Sequence, residues 1–499
     1  MTLNQFFSSL GAPIILPLFI FIFAVALRVK PRDAFKSALL IGIALTGINM
    51  VVGFFTTQIT PSVNDMVKNS GVNLPFVDVG WGAAAAIAYA SKVGLMVIPL
   101  AIAVNLIALA LRMTDTLNLD VWNFWHYAFV GALTVAFTGS LWLGFLAAVI
   151  AELASLLLAD WMQPSAQQYY GYEGVSFTTI SSVEYIPFAI GLNWVLDRLG
   201  LDKVKLDPEN IRKRMAVFGE PWFIGLVIGL LIGIAAYWNS LSTFQSWVTI
   251  LTDGVVVAAV MHIFPLMPQI LMAGLVPISK NVREIFSKPG TSRQINFGMD
   301  TALCVGEAAT LSTALLMIPV TIVLMVVLPY NRFLWIADLV SFPWFVALMT
   351  PITKGNILKN TIIASVYIAL GDLIITKITP LFTKAAIDAS WQVAAGTAGI
   401  GAGSEGISWL HYAIYHSMAT PLGIIAAVAV YAVALWGFKT HKKAWYRDCG
   451  YVEEFVDAGI EERQTAVARK LGFAIRDHSL ILYGKCRQTD CPHRRKSGN

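Results

Sequence analysis

Apolar residues run along this chain in long blocks divided by short polar stretches. A helix that crosses a bilayer needs about 20 mostly apolar residues. Blocks near 11–28, 36–56, 83–111, 124–160, 175–197, 217–237, 241–275, 300–328, 333–350, 358–376 and 407–437 predict about eleven transmembrane helices. The 124–160 and 241–275 blocks are too long for one straight crossing, so each is tilted, broken or joined to an interfacial helix. The first block has no basic segment before it and no small-residue cleavage site after it. It reads as a retained span rather than a signal peptide.

Composition agrees. Of 499 residues, 57% are hydrophobic and 13% charged, where soluble domains carry about 25% charged residues. A soluble enzyme, a disordered chain and a nucleic-acid-binding protein are excluded, and an all-α polytopic membrane protein is implied. Charge then divides the chain. Residues 1–437 hold 22 Lys/Arg and 22 Asp/Glu, and residues 438–499 hold 13 and 8, so the whole +5 net charge lies in the last 62 residues. Three of the four cysteines, Cys449, Cys486 and Cys491, lie there too, leaving Cys304 in the body and no disulfide framework. The expectation is a transmembrane body over 1–437 and a small cytoplasmic α/β tail over 438–499.

Orientation follows from the basic residues. With the N-terminus outside, the loops at 28–36, Arg112, 198–214, 280–293 and 354–359 face the cytoplasm and hold 17 of the body's 22 Lys/Arg. Outer loops hold four, Lys68, Arg332, Lys377 and Lys384, and Lys92 lies within a span. This bias is the positive-inside rule, and it puts the tail in the cytoplasm. An odd number of spans permits two inverted five-helix halves, about 11–197 and 217–376, plus one final helix, an arrangement found in transporters.

Ionisable residues inside apolar blocks are costly and therefore candidates for function. Asp78 and Trp81, in VDVGW at 77–81, suit a polyol: the acid accepts hydroxyl hydrogen bonds and the ring stacks on the C–H face. A loop cap explains them equally. Asn123 and His126 are three apart and enter a span on one helical face. Glu220 precedes Pro221, either at a broken helix facing a cavity or as an ordinary acidic residue at a helix N-terminus. Asp300 and Glu307, seven apart, share a helical face; Asp300 also fits as an N-cap. Glu405 lies in the glycine-rich stretch 392–408, a membrane-entering hairpin or a flexible outer loop, and the hydroxyl-rich SFTTISSVE at 176–184 is its counterpart in the first half. Polar, broken segments at corresponding places in two halves point to a transport site. No nucleotide-binding glycine loop, serine-triad signature or zinc-protease motif is present.

These motifs add up to a resemblance. The segments VDVGW (77–81), NLDVWNFWH (118–126), GYEGVSF (171–177), FGEPWFIGLVIGLLIGI (218–234), GLVPISK (274–280), GMDTALCVGEA (298–308), LLMIPVTI (315–322) and KGNILKN (354–360) run in the order and spacing of one family. Residues 1–437 resemble the galactitol-type enzyme IIC of the bacterial phosphoenolpyruvate-dependent phosphotransferase system. The resemblance implies a homodimeric inner-membrane permease that moves a sugar alcohol by an elevator motion. It implies no cofactor in the membrane body and no phosphorylation residue in this chain. A separate enzyme IIB, charged by enzyme IIA, phosphorylates the emerging substrate. The implied substrate-binding set is Asp78, Trp81, Asn123, His126, Thr178, Thr179, Glu220, Asp300, Glu307 and Glu405. Glu307 stands where galactitol-type members carry histidine, and Thr178 and Thr179 stand where they carry His or Gln after a proline, so the class of polyol or pentose-like sugar carries over better than galactitol itself. The competing reading is an ion-coupled secondary sugar transporter with Glu220, Asp300 or Glu307 as coupling carboxylates.

The tail has its own resemblance. CGYVEEF, GIEERQ, DHSLILYGKC and the DC that follows look like the C-terminal dimerisation half of ferric uptake regulator proteins. The resemblance implies a zinc site from Cys449, Cys486, Cys491 and His493, with Tyr446 replacing the first family cysteine, and regulatory-metal positions at Glu461 and His478. The DNA-binding half is missing, so nucleic acid is not an expected partner. Such a tail is a fusion remnant, a zinc-held module or a metal sensor.

Overall fold

The computed structural model describes residues 29–204, 206–208, 220–263, 295–391 and 398–445 apart from 70, 72 and 73, with residue 393 and isolated residues among 17–25 and 266–292. The tail ligands Cys449, Cys486, Cys491 and His493, with Glu461 and His478, lie outside the described residues, as does most of the first predicted span. The chain divides into a unit over Met1–Leu435 and another over Trp436–Asn499.

In the first unit the elements are α1 (Pro31–Asn69), β1 (Phe76–Asp78), α2 (Gly80–Ala90), α3 (Gly94–Ala110), β2 (Thr116–Asn118), α4 (Trp125–Thr138), α5 (Leu141–Tyr170), β3 (Val175–Phe177), α6 (Ile180–Val183) and α7 (Ile186–Arg198). There follow α8 (Pro221–Ala236), α9 (Phe244–Ile263), β4 (Asn296–Met299), α10 (Ala308–Val327), β5 (Phe333–Leu334), α11 (Phe342–Ala347), α12 (Thr350–Thr353), α13 (Ile357–Asp388), β6 (Gly399–Gly401), α14 (Gly403–Gly406) and α15 (Trp409–Ser417). The last helix, α16 (Pro421–Trp445), runs on into the second unit.

Among the described residues, five helices are long and apolar enough to cross a membrane, or six if α2 and α3, bent by 88° at their junction, form one span. Of the other apolar blocks, 36–56 lies inside the continuous helix α1 and 217–237 carries the 16-residue α8, while three more are interrupted. The 124–160 block breaks where Gly139, at φ 75°, ends α4 and the Ser140 hydroxyl caps α5 by accepting from Leu143 N–H at 3.4 Å. The 175–197 and 333–350 blocks each open with a strand and continue in short helices. Where α8 meets α9, a Cβ on Gly229 would lie 2.6 Å from the Asp253 carbonyl oxygen, so only glycine allows that approach. Asp253, buried there, accepts from Ser62 Oγ on α1 at 2.6 Å.

Many large side chains face outward, among them Phe244 and Val255 on α9 and Leu422, Ile425 and Val430 on α16. An apolar exterior on helices of this length is what a bilayer solvates.

Two short parallel sheets organise the interior. One has the order β5–β1–β6, with Val77 opposite Leu334 and Ile400; the other has the order β2–β4–β3, with Phe297 opposite Leu117 and Val175. In each sheet a middle strand from one half of the chain lies between two strands from the other half. Non-helical backbone within an apolar body survives only where its polar groups pair inside protein, and these sheets do that pairing. Each strand ends in a turn that starts a new helix, so the carboxyl ends of six strands deliver side chains and free N–H groups to a few places.

Candidate substrate site

At the end of the β5–β1–β6 sheet, Asp78 accepts four backbone hydrogen bonds. Its Oδ1 receives Gly80 N–H at 3.0 Å and Gly403 N–H at 3.3 Å, and its Oδ2 receives Asp338 N–H at 2.7 Å and Ile336 N–H at 3.2 Å. Asp338 answers by accepting from Trp81 N–H at 2.9 Å and Ser404 N–H at 2.8 Å. These two buried carboxylates tie together the turns that follow β1, β5 and β6. Orphan N–H groups at helix starts need acceptors, and this pair supplies them.

The end of the β2–β4–β3 sheet is built differently. Asp300 Oδ1 accepts from Ala302 N–H at 2.9 Å and from Thr179 Oγ1 at 3.3 Å, and Thr301 N–H donates to Thr179 Oγ1 at 3.2 Å. Among the described residues no hydrogen bond engages Oδ2 of Asp300, which is only half-buried. Thr178 Oγ1 donates to Asn118 Oδ1 at 2.9 Å, and Asn123 Nδ2 donates to Asp120 Oδ2 at 2.7 Å. Asn118 Oδ1 also accepts from Asp120 N–H at 3.1 Å, which links Asp120 and Asn123 to Thr178.

His126 joins the two ends. It opens α4 after β2, and its Nδ1 lies 2.8 Å from Oε1 of Glu405 in α14, which follows β6. The other Glu405 oxygen faces His411 Nδ1 at 3.5 Å. Glu405 Oε2 and His411 Nε2 are buried and have no hydrogen-bond partner among the described residues. A second link runs from Glu184, after α6, to the Ser408 hydroxyl, while Trp409 Nε1 donates to the Glu184 carbonyl at 3.0 Å. Oε1 of Glu184 is also buried and without a hydrogen-bond partner among the described residues. Buried polar atoms left unpaired are costly, and three of them gather on groups that connect the strand ends.

Of the residues expected from sequence, Asn123, His126, Thr178, Thr179, Asp300 and Glu405 fall into this connected set. Asp78 adjoins it, with both oxygens occupied by backbone. Among the described residues Trp81 joins only through its main chain, and the residue is 41% exposed. Glu220 stands at the N-cap of α8 before Pro221, without a side-chain capping bond. Glu307 sits apart: it caps α10 by accepting from Ala309 N–H at 3.0 Å and Thr310 N–H at 2.8 Å, and it receives Tyr169 O–H at 3.1 Å. Asp338 and His411 were not among the expected residues, and Glu184 entered only as the last residue of the 176–184 stretch, although each is an ionisable residue in an apolar block, the same signal that singled out Asp300.

Residues 5–396 match the family described as the PTS system sugar-specific permease component. The galactitol-specific EIIC component of the PTS system of Escherichia coli strain K12 is 31% identical over 452 residues, covering 90% of this chain and 97% of that protein. A putative permease IIC component of the same organism is 31% identical over 426 residues, 85% of this chain and 96% of its own length. This chain belongs to the PTS sugar-specific permease family. It is the membrane permease component, enzyme IIC, of a phosphotransferase system. Residues 425–483 match the ferric uptake regulator family. The ferric uptake regulation protein of Cupriavidus metallidurans is 55% identical over 56 residues, which cover 39% of that protein. In this permease the family match of the tail ends before Cys486, Cys491 and His493.

Proposed function

We propose that this permease binds a neutral sugar alcohol of the galactitol class between the strand ends and releases it to the cytoplasm for phosphorylation by enzyme IIB, itself charged by enzyme IIA. The observation that carries the reading is the convergence at His126 and Glu405, where the ends of both sheets meet around Asp120, Asn123, Thr178, Thr179 and Asp300. Carboxylates, amides, hydroxyls and imidazole offer the mixed donors and acceptors that a polyol needs. No Lys or Arg joins the hydrogen bonds described at this cluster, which favours a neutral solute over an anionic one.

In this reading Asp300, Asp120, Asn123, His126, Thr179 and Glu405 touch the substrate, with Thr178 behind them. Asp78 and Glu307 shape the site by holding helix starts, and Trp81 and Glu220 stand outside it. The alternation of halves in the two sheets supports an inverted repeat, and with it an elevator-type movement of the strand-end region in a homodimer. The excess of basic residues in alternate loops supports an inner-membrane orientation with the N-terminus outside and the tail in the cytoplasm. For the tail, thiolates of Cys449, Cys486 and Cys491 with the imidazole of His493 form a donor set suited to zinc.

The test is uptake of radiolabelled polyols and pentoses in cells lacking other permeases, with and without enzyme IIB. A phosphorylated product that disappears without enzyme IIB is the expected result and names the substrate. Free sugar accumulating without enzyme IIB would sink the reading and reassign the buried carboxylates to ion coupling.

A further inference from the structure

We propose that Lys354 receives the phosphorylated side chain of the cytoplasmic partner, a role that rests on the group-translocation reading above. The backbone gives the first reason. Lys354 ends α12 at φ 58°, ψ 41°, in the left-handed region. An L-residue with a long side chain is strained there, and glycine or asparagine is the usual occupant. Among the described residues only Arg112 and Ser390 are other non-glycine residues with positive φ. Strain kept at a position where a cheaper residue serves is a pointer to function.

The turn is also held rigidly. Gly355 N–H donates to the Thr350 carbonyl at 2.9 Å, and Ile357 N–H donates to the Leu206 carbonyl at 2.9 Å. Asn356 Nδ2 donates to the Val204 carbonyl. A Cβ on Gly355 would lie 2.5 Å from Tyr169 Oη, the hydroxyl that donates to Glu307. The turn therefore rests on the α10 cap on one side and on the carbonyls of Val204 and Leu206 on the other.

Charge gives the third reason. Lys359, five residues further on, is buried and neutralised by Asp197, with Asn193 Oδ1 at 3.3 Å. Lys354 is exposed, and among the described residues no ion pair or side-chain hydrogen bond engages it. One lysine is compensated inside the protein; the other is presented, on a fixed turn, at the basic face that the loop charges assign to the cytoplasm. A preorganised ammonium is a fit receiver for a phosphoryl dianion.

The experiment uses the full chain in membrane vesicles with radiolabelled galactitol and increasing amounts of phosphorylated enzyme IIB. Lys354→Gly suits the left-handed conformation, so it is expected to keep thermal stability and galactitol binding. It should raise the enzyme IIB concentration for half-maximal phosphorylation by about tenfold or more, the size of one lost charged contact. Lys354→Arg should stay within about threefold of the parent, since it keeps the charge. An unchanged half-maximal concentration in Lys354→Gly overturns the proposal. A parent chain that yields no phosphorylated product from galactitol or from any other radiolabelled polyol or pentose, at any enzyme IIB concentration, overturns the group-translocation reading instead.

Discussion

Two aspartates at the ends of middle strands do different work in this permease. Asp78 has both oxygens filled by four main-chain N–H groups, whereas Asp300 has one oxygen filled and the other without a hydrogen bond among the described residues. The asymmetry yields paired expectations. Asp300→Asn should fold normally and lose substrate affinity at least tenfold in a binding assay, about the effect of one charge-assisted hydrogen bond. Asp78→Asn places an NH₂ group among donors; each buried N–H left unpaired costs about 1–3 kcal/mol, so the expected outcome is a lower melting temperature and poor recovery of folded protein. The His126–Glu405 pair makes a third case. Glu405→Gln keeps an acceptor for His126 and should retain part of the transport rate, while Glu405→Ala strands a buried imidazole and should abolish it. Legibility at this scale was uneven. Asp300, His126 and Glu405 stood out as ionisable residues in apolar blocks. Their partnership did not, because 279 residues separate His126 from Glu405 and no local pattern spans that distance.

At the scale of elements, long apolar helices are visible in sequence because lipid demands an unbroken apolar stretch. The strands are not. FVD, TLN and VSF are three-residue pieces with no period to detect, and they are strands only because partners from the other half of the chain align with them. The break at Gly139–Ser140 was half legible: the length of the 124–160 block required an interruption, and a left-handed glycine followed by a hydroxyl cap supplies it. Close packing at the strand ends leads to a further expectation. A Cβ on Gly403 would lie 2.1 Å from the Trp335 ring, which is fully buried and whose Nε1 donates to Asp372 Oδ1 at 3.0 Å. Gly403→Ala must displace that ring, and overpacking of this kind costs about 1–3 kcal/mol. A thermal melt in detergent should show the loss, with transport falling in parallel because Gly403 N–H is one of the donors to Asp78.

For the whole molecule, the division near residue 435 separates a transport body from a tail whose sequence matches a different family. Removing residues 446–499 is expected to leave polyol uptake and phosphorylation within about twofold of the full chain, since the residues proposed to touch the substrate all lie before residue 436; a larger loss would give the tail a part in transport. Zinc analysis of the full and shortened chains, with reduced protein, checks the tail site separately. The amino-acid sequence by itself determined that the chain lives in a membrane, because 57% hydrophobic residues arranged in blocks of bilayer length have no other stable solvent. It also determined that the chain is a permease of this family and that a few polar residues break its apolar blocks. Tertiary structure alone decided which of those residues meet. Parallel pairing sets Val77 beside Leu334 and Ile400, and Phe297 beside Leu117 and Val175. The turns after those strands then close Asp78 on backbone, leave Asp300 open and bring His126 to Glu405. Hydrophobic blocks are a local property and can be read one at a time; convergence of strand ends is a property of pairings across hundreds of residues, and it exists only once the halves have come together.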